Sequence, residues 1–387
     1  MTLYFPVPAR TTAECNLFLR AAWSQIRLEF GKLAWQFAPS RHGARNTIYF
    51  GWADVGIPPS IRFGVTYKER GVAQDIIAES AEPTTERRIR QAMTTAQALL
   101  AAPNTLDFLV PIRSSLAIPF RRQDGARVQV RPAASDAFFI QLQRVRVFDE
   151  FDAASECQRR VRMLLDALAF MTNLSFEALA PEAIEEPPIC TPEDAARPPD
   201  DWIDGHPVVD GRIALSRAQI ELLDALCEDL SEPLIHLVDA AHHFHAGLQI
   251  ETQRHGESTL GQIATEHAIV SYLSCLEVAS LIGSAKPQQC SECGQARYRI
   301  SGRVVDFVTE HVGGSAPNLA KLLYQTRSSY LHNGLLLSSR SYTGATIPQL
   351  DPSTPTGVSS PQSVAPVLNL REYTSFALRA LVRAGVA

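Results

Sequence analysis

Two side chains near residue 330 have the chemistry needed to act on a phosphodiester. Arg327 and His332 lie five residues apart in the segment LYQTRSSYLHNG, which runs from Leu323 to Gly334. A guanidinium is always charged, and its planar fork matches two phosphate oxygens. An imidazole titrates near neutral pH, so it can accept or give the proton that moves in phosphoryl transfer. Such a step requires no metal ion, and we expect no required cofactor.

An amphipathic helix must position this pair. It is predicted to begin near Ser315, with Pro317 in its first turn, and to end at Asn333-Gly334, since both residues tolerate a left-handed backbone. Five residues on a helix advance by about 7.5 Å and rotate by about 140°, so one helix does not bring both groups to a single face. A surface arginine and a helix-terminal histidine would give the same pattern, because cations favour a helix C-terminus.

The motif and its surroundings resemble the HEPN superfamily, and within it the Apea-like branch. The matching residues are Arg327, Ser328 and His332, with Gly334 one position late and Leu322-Leu323-Tyr324 before them. Glu277 lies in a central helix, where this branch tends to have an acidic residue. The resemblance covers roughly residues 205–387 and implies a HEPN-like helical bundle. It also implies a homodimer, in which two protomers bring their motifs together in one cleft.

On this resemblance the protein is a metal-independent endoribonuclease, and RNA is its partner and substrate, with tRNA as one candidate. The 2′-hydroxyl of RNA attacks the phosphorus and leaves a 2′,3′-cyclic phosphate, with Arg327 and His332 as the catalytic residues. Uncontrolled cleavage would be toxic. The resemblance to phage-defence proteins therefore implies a regulated toxin, released by a regulatory partner or a phage protein.

Four further residues support the site, and each also has an ordinary interpretation. A carboxylate such as Glu277 on a nearly all-apolar helix needs a partner, which is either the motif or a structural ion pair. Ser328, Tyr330 and Asn333 are candidates for RNA binding, but each also suits packing or helix capping. The rival hypothesis is a non-catalytic module that binds RNA, a nucleotide or a protein, with the motif as an anion site.

A cysteine pair is one candidate metal site. Cys290 and Cys293 have the spacing of half a tetrahedral zinc site, which His311 or a partner chain would complete. Paired buried thiols that close a loop are the competing interpretation. A structural zinc ion and a zinc-dependent interaction scaffold are therefore both open hypotheses.

Three histidines at helical spacing form a second candidate metal site. His242, His243 and His245 lie in one predicted helix, and Asp239 precedes His242 by three residues. Histidine-rich metal sites usually add a carboxylate at such a spacing. A half-exposed polar helix face is the competing interpretation.

Length, composition and charge limit the class of protein. A chain of 387 residues, 45 % hydrophobic and 20 % charged, suits two globular domains. The formal net charge of −5 excludes a broad cationic surface, so any nucleic-acid site would be local. Scattered cysteines, the lack of a secretory pattern and the lack of a bilayer-spanning apolar stretch predict a cytoplasmic protein without membrane contact.

The pattern of apolar residues divides the chain into three parts. Residues 1–178 mix helical and strand patterns, which predicts an α+β domain. The resemblance to phage-defence proteins implies a sensor or regulatory role for this domain. Its predicted helices span residues 12–37, 83–102 and 153–171. Residues 179–207 are acidic and proline-rich, which is typical of a linker. Residues 208–387 show helical periodicity alone and predict an all-α bundle.

Overall fold

The computed structural model of the chain describes most of its residues. These are residues 2–31, 33–42, 45–53, 61–67, 71–79, 83–133, 136–180, 202–252, 259–284, 288–289, 296–297, 300–314, 316–318, 320–321, 324, 327, 349–350, 358–359 and 364–385. They form two compact units. The first is Met1–Asp107 with Arg144–Gln158, and the second is Phe108–Gln143 with Arg159–Ala387.

The first unit is built on a five-stranded antiparallel sheet. Its strands are β1 (Thr2–Pro6), β2 (Leu33–His42), β3 (Arg45–Ala53), β4 (Ile61–Tyr67) and β5 (Ala73–Glu79), in the spatial order β1-β5-β4-β3-β2. Helices α1 (Thr12–Phe30) and α2 (Pro83–Ala101) pack on each other. Phe18, Phe63 and Ile89 are among the fully buried side chains of the core that the sheet and helices share.

Helix α1 is shorter than its sequence pattern predicts. The Thr11 hydroxyl accepts the Glu14 N–H, and the Glu14 carboxylate accepts the Thr11 N–H, so a capping box fixes the first turn. Gly31 has a φ of 76°, which favours glycine and ends the helix. Residues 33–42 then form β2, so the helix predicted over residues 12–37 is wrong in its last residues. The helices predicted at 83–102 and 153–171 are confirmed by α2 and by α3 (Glu150–Thr172).

The second unit contains most of a second sheet and the later helices. The sheet has the order β10-β6-β9-β8-β7, with β6 (Asn104–Ser114), β7 (Gln123–Asp124), β8 (Val128–Pro132), β9 (Ala137–Val147) and β10 (Phe176–Ala178). The helices that follow α3 are α4 (Arg217–Ala225), α5 (Glu232–Thr252), α6 (Thr259–Ala279), α7 (Ile300–His311) and α8 (Val364–Arg383). The protein is therefore mixed α and β, with its sheets in the N-terminal region and mainly helices later.

Short hairpins interrupt the helical half, which the all-α prediction for residues 208–387 omitted. They are β11 (Val208–Val209) with β12 (Arg212–Ile213), β13 (Gln288–Gln289) with β14 (Ala296–Arg297), and β15 (Gln349–Leu350) with β16 (Val358–Ser359). Strands of two residues are too short to show an alternating pattern. The predicted linker lies mostly outside the described residues, and the division at residues 178 and 207 stays a prediction. Within the described residues, each helix is too short or too polar to span a membrane.

Helices α5 and α6 approach each other closely at Gly247. A Cβ atom at this position would lie 2.7 Å from the ring of Tyr272 on α6, so glycine is the residue that fits. The Phe244 ring lies 5.4 Å from the Tyr272 ring, and the Tyr272 hydroxyl donates a hydrogen bond to Glu251. Because Tyr272 is fully buried, these contacts fix the position of α5 along its axis relative to α6.

This close approach gives a stability prediction for Gly247→Ala. Alanine would gain about 1 kcal/mol in helix propensity, but overpacking against Tyr272 typically costs about 1–3 kcal/mol. We expect a net loss of about 1 kcal/mol in the free energy of unfolding, measured by urea denaturation.

The matched control is Gly302→Ala, since Gly302 is an exposed residue of α7. There the helix propensity acts alone, and we expect a gain of up to about 1 kcal/mol. A Gly247→Ala protein at least as stable as the wild type would contradict the packing described here.

Candidate functional site

Glu277, near the end of α6, binds two side chains of the segment that carries the Arg327 motif. The Tyr324 hydroxyl donates to Glu277 Oε1 at 2.6 Å, and Arg327 Nη1 donates to the same oxygen at 2.8 Å. The described residues of that segment, from 316 to 327, are all helical. The Glu277 and Arg327 side chains are only 19 % and 15 % exposed, so solvent screens their pairing weakly.

The Arg327 guanidinium is held by a second residue of α6. Its Nη2 donates to the Ser274 hydroxyl at 3.3 Å, and Ser274 precedes Glu277 by three residues, which places both on one helix face. The guanidinium also lies 5.7 Å from the centre of the Tyr324 ring. We name Ser274, Glu277, Tyr324 and Arg327 the Glu277 cluster. The cluster fixes the orientation of the one permanent cation in the predicted motif.

A buried donor of Arg327 is left without an acceptor within the cluster. A guanidinium has five N–H donors, of which Nη1 and Nη2 each use one toward Glu277 and Ser274. The Nε atom is buried and has no hydrogen-bond partner among the described residues. A buried donor without an acceptor is costly, so this atom is suited to an acceptor that the described residues do not provide.

Tyr324 acts as a hydrogen-bond donor over the whole neutral pH range. Burial and, second, the hydrogen bond to the Glu277 carboxylate together raise the pKa of Tyr324 to about 12. The hydroxyl therefore stays protonated and donates a hydrogen bond to Glu277. Together, Tyr324 and Arg327 satisfy one oxygen of a largely buried carboxylate.

His243 on α5 adds an imidazole to this region. Its pKa is lowered by burial, then by the neighbouring His242 and by Arg327, while Asp239 and Glu277 act in the opposite direction. The His243 ring is therefore close enough to Arg327 and Glu277 for their charges to interact. A lowered pKa keeps this imidazole unprotonated at neutral pH, the form that accepts a proton.

The other two α5 histidines share a buried carboxylate on α3. Asp166 bonds His245 Nδ1 at 2.7 Å and His242 Nδ1 at 3.1 Å. The backbone N–H of Phe176 donates to His245 Nε2, and Arg162 donates to His242 Nε2, at 3.0 and 3.1 Å. Since these donors cannot accept, both rings carry their proton on Nδ1 and donate it to Asp166. We name these five residues the Asp166 network.

The two candidate metal sites, the three histidines of α5 and the cysteine pair, differ in whether the structure describes them. Among the described residues no group of three or more His, Cys, Asp or Glu side chains is arranged to hold a metal ion. Cys290 and Cys293 lie outside the described residues, between β13 and β14. The His311 ring packs edge-on against Phe307, and burial lowers its pKa. The zinc hypothesis at the cysteine pair therefore stays a prediction.

The structure describes two of the six residues predicted for the RNA site, Glu277 and Arg327, and these two are in contact. Glu277 forms its salt bridge with Arg327, which is one of the two partners that the sequence offered for this carboxylate. The other four, His332, Ser328, Tyr330 and Asn333, lie outside the described residues. The positions of the catalytic histidine and of the helix end therefore stay predictions.

The sequence-based selection missed Ser274, Tyr324 and His243 as members of this region. A signal was present, because Ser274 and Glu277, and likewise Tyr324 and Arg327, are three residues apart and share helix faces. Asp166 carried a similar signal, since it is a carboxylate within the apolar stripe of α3 and needs a buried partner. His243 had no comparable signal, because its neighbours come from other helices.

Comparison with known proteins identifies no relative of the chain. No protein-family model matches it, and no curated protein or solved structure does either. The HEPN resemblance therefore depends on the motif of Arg327 and His332 and on its helical setting. The chemical interpretation of the site depends on the Glu277 cluster itself.

The Glu277 cluster predicts a loss of stability in Glu277→Ala. The variant leaves the Arg327 guanidinium largely buried without its counterion, which should lower the free energy of unfolding by about 2–3 kcal/mol. The double variant Glu277→Ala with Arg327→Ala should recover part of that loss, because the uncompensated charge is gone. Urea denaturation of the three proteins measures both effects.

An exposed ion pair is the control for this prediction. Arg217 and Glu221 on α4 are 72 % and 60 % exposed, and Glu221→Ala should cost less than about 0.5 kcal/mol. Equal stability of Glu277→Ala and Glu221→Ala would show that the cluster is not a buried charge pair.

Proposed function

We propose that the protein is a metal-independent endoribonuclease of the HEPN type, with Arg327 and His332 as its catalytic residues. The observation that carries the proposal is the Arg327 guanidinium, which Glu277 and Ser274 orient in a largely buried setting. The His243 imidazole lies within range of its charge. A fixed cation next to proton-transfer groups is the arrangement that phosphoryl transfer requires.

RNA supplies its own nucleophile for this reaction. The 2′-hydroxyl attacks the adjacent phosphorus while a base takes its proton, and the 5′-oxygen leaves as an acid protonates it. Negative charge grows on the non-bridging phosphate oxygens, and a guanidinium that is already oriented stabilises that charge without reorganisation. The products are a 2′,3′-cyclic phosphate and a free 5′-hydroxyl.

Arg327 keeps N–H donors for a phosphate after it has bound its protein partners. Nη1 and Nη2 use one N–H each toward α6, and the Nε donor has no acceptor among the described residues. A phosphate oxygen is a strong acceptor for such a donor. The Glu277 carboxylate serves to position Arg327 and does not itself contact the substrate.

The proposal includes two protomers and a control on activity. The five-residue spacing turns Arg327 and His332 to different sides of one helix, so a homodimer would complete the cleft with groups from both chains. An unrestrained ribonuclease would damage its host, so the N-terminal α+β region or a partner would hold the enzyme inactive. Infection or stress would release it, with tRNA as one candidate substrate.

The principal test is RNA cleavage by the purified protein in the presence of EDTA. We expect single-stranded RNA to be cut to products with 2′,3′-cyclic phosphate ends. Arg327→Ala and His332→Ala should each lower the rate by at least about 10²-fold, through loss of the oriented cation or of the proton-transfer group. Gel analysis of end-labelled RNA measures both rate and end chemistry.

Arg217→Ala is the matched arginine control, because Arg217 is exposed on α4 and lies outside the Glu277 cluster. It should cleave RNA at the wild-type rate. Cleavage that survives both catalytic substitutions would overturn the proposal. RNA binding with no cleavage products would favour the non-catalytic binding module instead.

A further inference from the structure

Cleavage by 2′-hydroxyl attack moves two protons, and the Arg327 motif contains a single imidazole. One group must take the proton of the 2′-hydroxyl, and another must give a proton to the leaving 5′-oxygen. His332 accounts for one of these groups. The other is either the same histidine of a second protomer or a further group of the same chain, and the experiments below distinguish the two. The inference that follows rests on the proposed function and concerns the second group.

The packing of α5 on α6 places His243 at nearly the same level along the helix axes as Glu277. Tyr272 on α6 contacts α5 around Gly247, where its ring fills the space beside the glycine. Since α5 ends at residue 252 and α6 begins at residue 259, the short connection makes the two helices antiparallel neighbours. Five residues beyond Tyr272, about 7.5 Å along the axis, Glu277 therefore lies level with residue 242 of α5. His243 precedes Gly247 by four residues, so it shares the side of α5 that faces α6.

The charges around His243 agree with this placement. Glu277 from α6 and Arg327 from the motif segment both act on the His243 ring, as does Asp239 one turn earlier on α5. The ring of His242 lies 6.1 Å away. Behind His242, α3 contributes Asp166 and Arg162.

His243 differs from its two neighbouring histidines in what its nitrogens do. Both nitrogens of His242 and of His245 are engaged, by Asp166 on one side and by Arg162 or the Phe176 backbone on the other. The structure gives His243 no hydrogen bond among the described residues. Its ring is partly exposed, so a nitrogen can accept a proton from a bound molecule.

We propose that His243 is a catalytic residue in addition to Arg327 and His332, and that it serves as the base for the RNA 2′-hydroxyl. The 2′-oxygen forms a bond to phosphorus as its proton passes to His243. The bond from phosphorus to the 5′-oxygen breaks, and that oxygen leaves with a proton from protonated His332. Exchange of one proton with water at each imidazole then restores the starting state.

The first experiment is a titration of the histidine ring signals by NMR, without RNA. The His243 signal, assigned by its loss in His243→Gln, should titrate below the usual pKa of histidine. Arg327→Gln removes a cation and should raise that pKa, whereas Glu277→Gln removes an anion and should lower it further. The signal of His236, seven residues earlier on α5, should move in neither variant. A His243 pKa that changes in neither variant would overturn the placement of His243 near Glu277 and Arg327.

The second experiment is the pH dependence of RNA cleavage. A base must be unprotonated, so kcat should rise with pH as His243 loses its proton, and this rise is the acid limb of the profile. At higher pH kcat should fall again, as His332 loses the proton that it must give to the 5′-oxygen. His243→Gln should lower kcat by about 10²–10³-fold with little change in KM, and it should remove this acid limb. His236→Gln is the matched control and should keep both the rate and the limb. Thermal unfolding checks that His243→Gln remains folded.

The outcomes separate this inference from the proposed function. If Arg327→Ala and His332→Ala are inactive while folded His243→Gln keeps the rate and the acid limb, the role of His243 is wrong and the ribonuclease proposal stands. If the wild-type protein cleaves no RNA, both are wrong. Loss of kcat and of the acid limb in His243→Gln, with both retained in His236→Gln, supports both proposals.

Discussion

The close approach of α5 and α6 at Gly247 is the constraint on which the candidate site depends. The Tyr272 ring occupies the space that any larger residue at position 247 would need. This contact sets the position of α5 along its axis relative to α6, and with it the distance between the α5 histidines and Glu277. Glu277 in turn holds Arg327. A site assembled from three helical segments thus depends on one glycine and one buried tyrosine that take no part in the chemistry.

The sequence predicted the helices well where capping residues and apolar periodicity agree. Ser216 begins α4 with a capping box to Gln219, and both signals are visible in the sequence. The pattern after Phe30 was misleading, because Leu33 continues the helical spacing while Gly31 ends the helix. Two-residue strands such as β13 and β14 are too short to show an alternating side-chain pattern, so the sequence could not predict them.

The candidate site could be predicted from the sequence only in part. A buried carboxylate requires a partner, and this rule selected Glu277 and offered Arg327 as its partner. The rule also applied to Asp166, whose partners His242 and His245 were first interpreted as a metal site or a polar face. The rule predicts that a partner exists without identifying it, because that choice depends on how helices distant in sequence pack together.

The charges of the Glu277 cluster explain why an unprotonated imidazole beside Arg327 matters for the proposed reaction. Glu277 and Arg327 cancel each other's charge, so the cluster alone does not offer a net positive charge to a phosphodiester. During attack, negative charge grows on the phosphate oxygens. On the proposed mechanism the proton leaving the 2′-hydroxyl stays on His243, which becomes positive beside that growing charge. Because His332 gives up a proton as His243 gains one, the total charge of the site stays the same while one cation moves to the side of the attacking 2′-oxygen. Arg327 remains the fixed cation for the phosphate oxygens, and this change in charge distribution between ground state and transition state accelerates a chemical step.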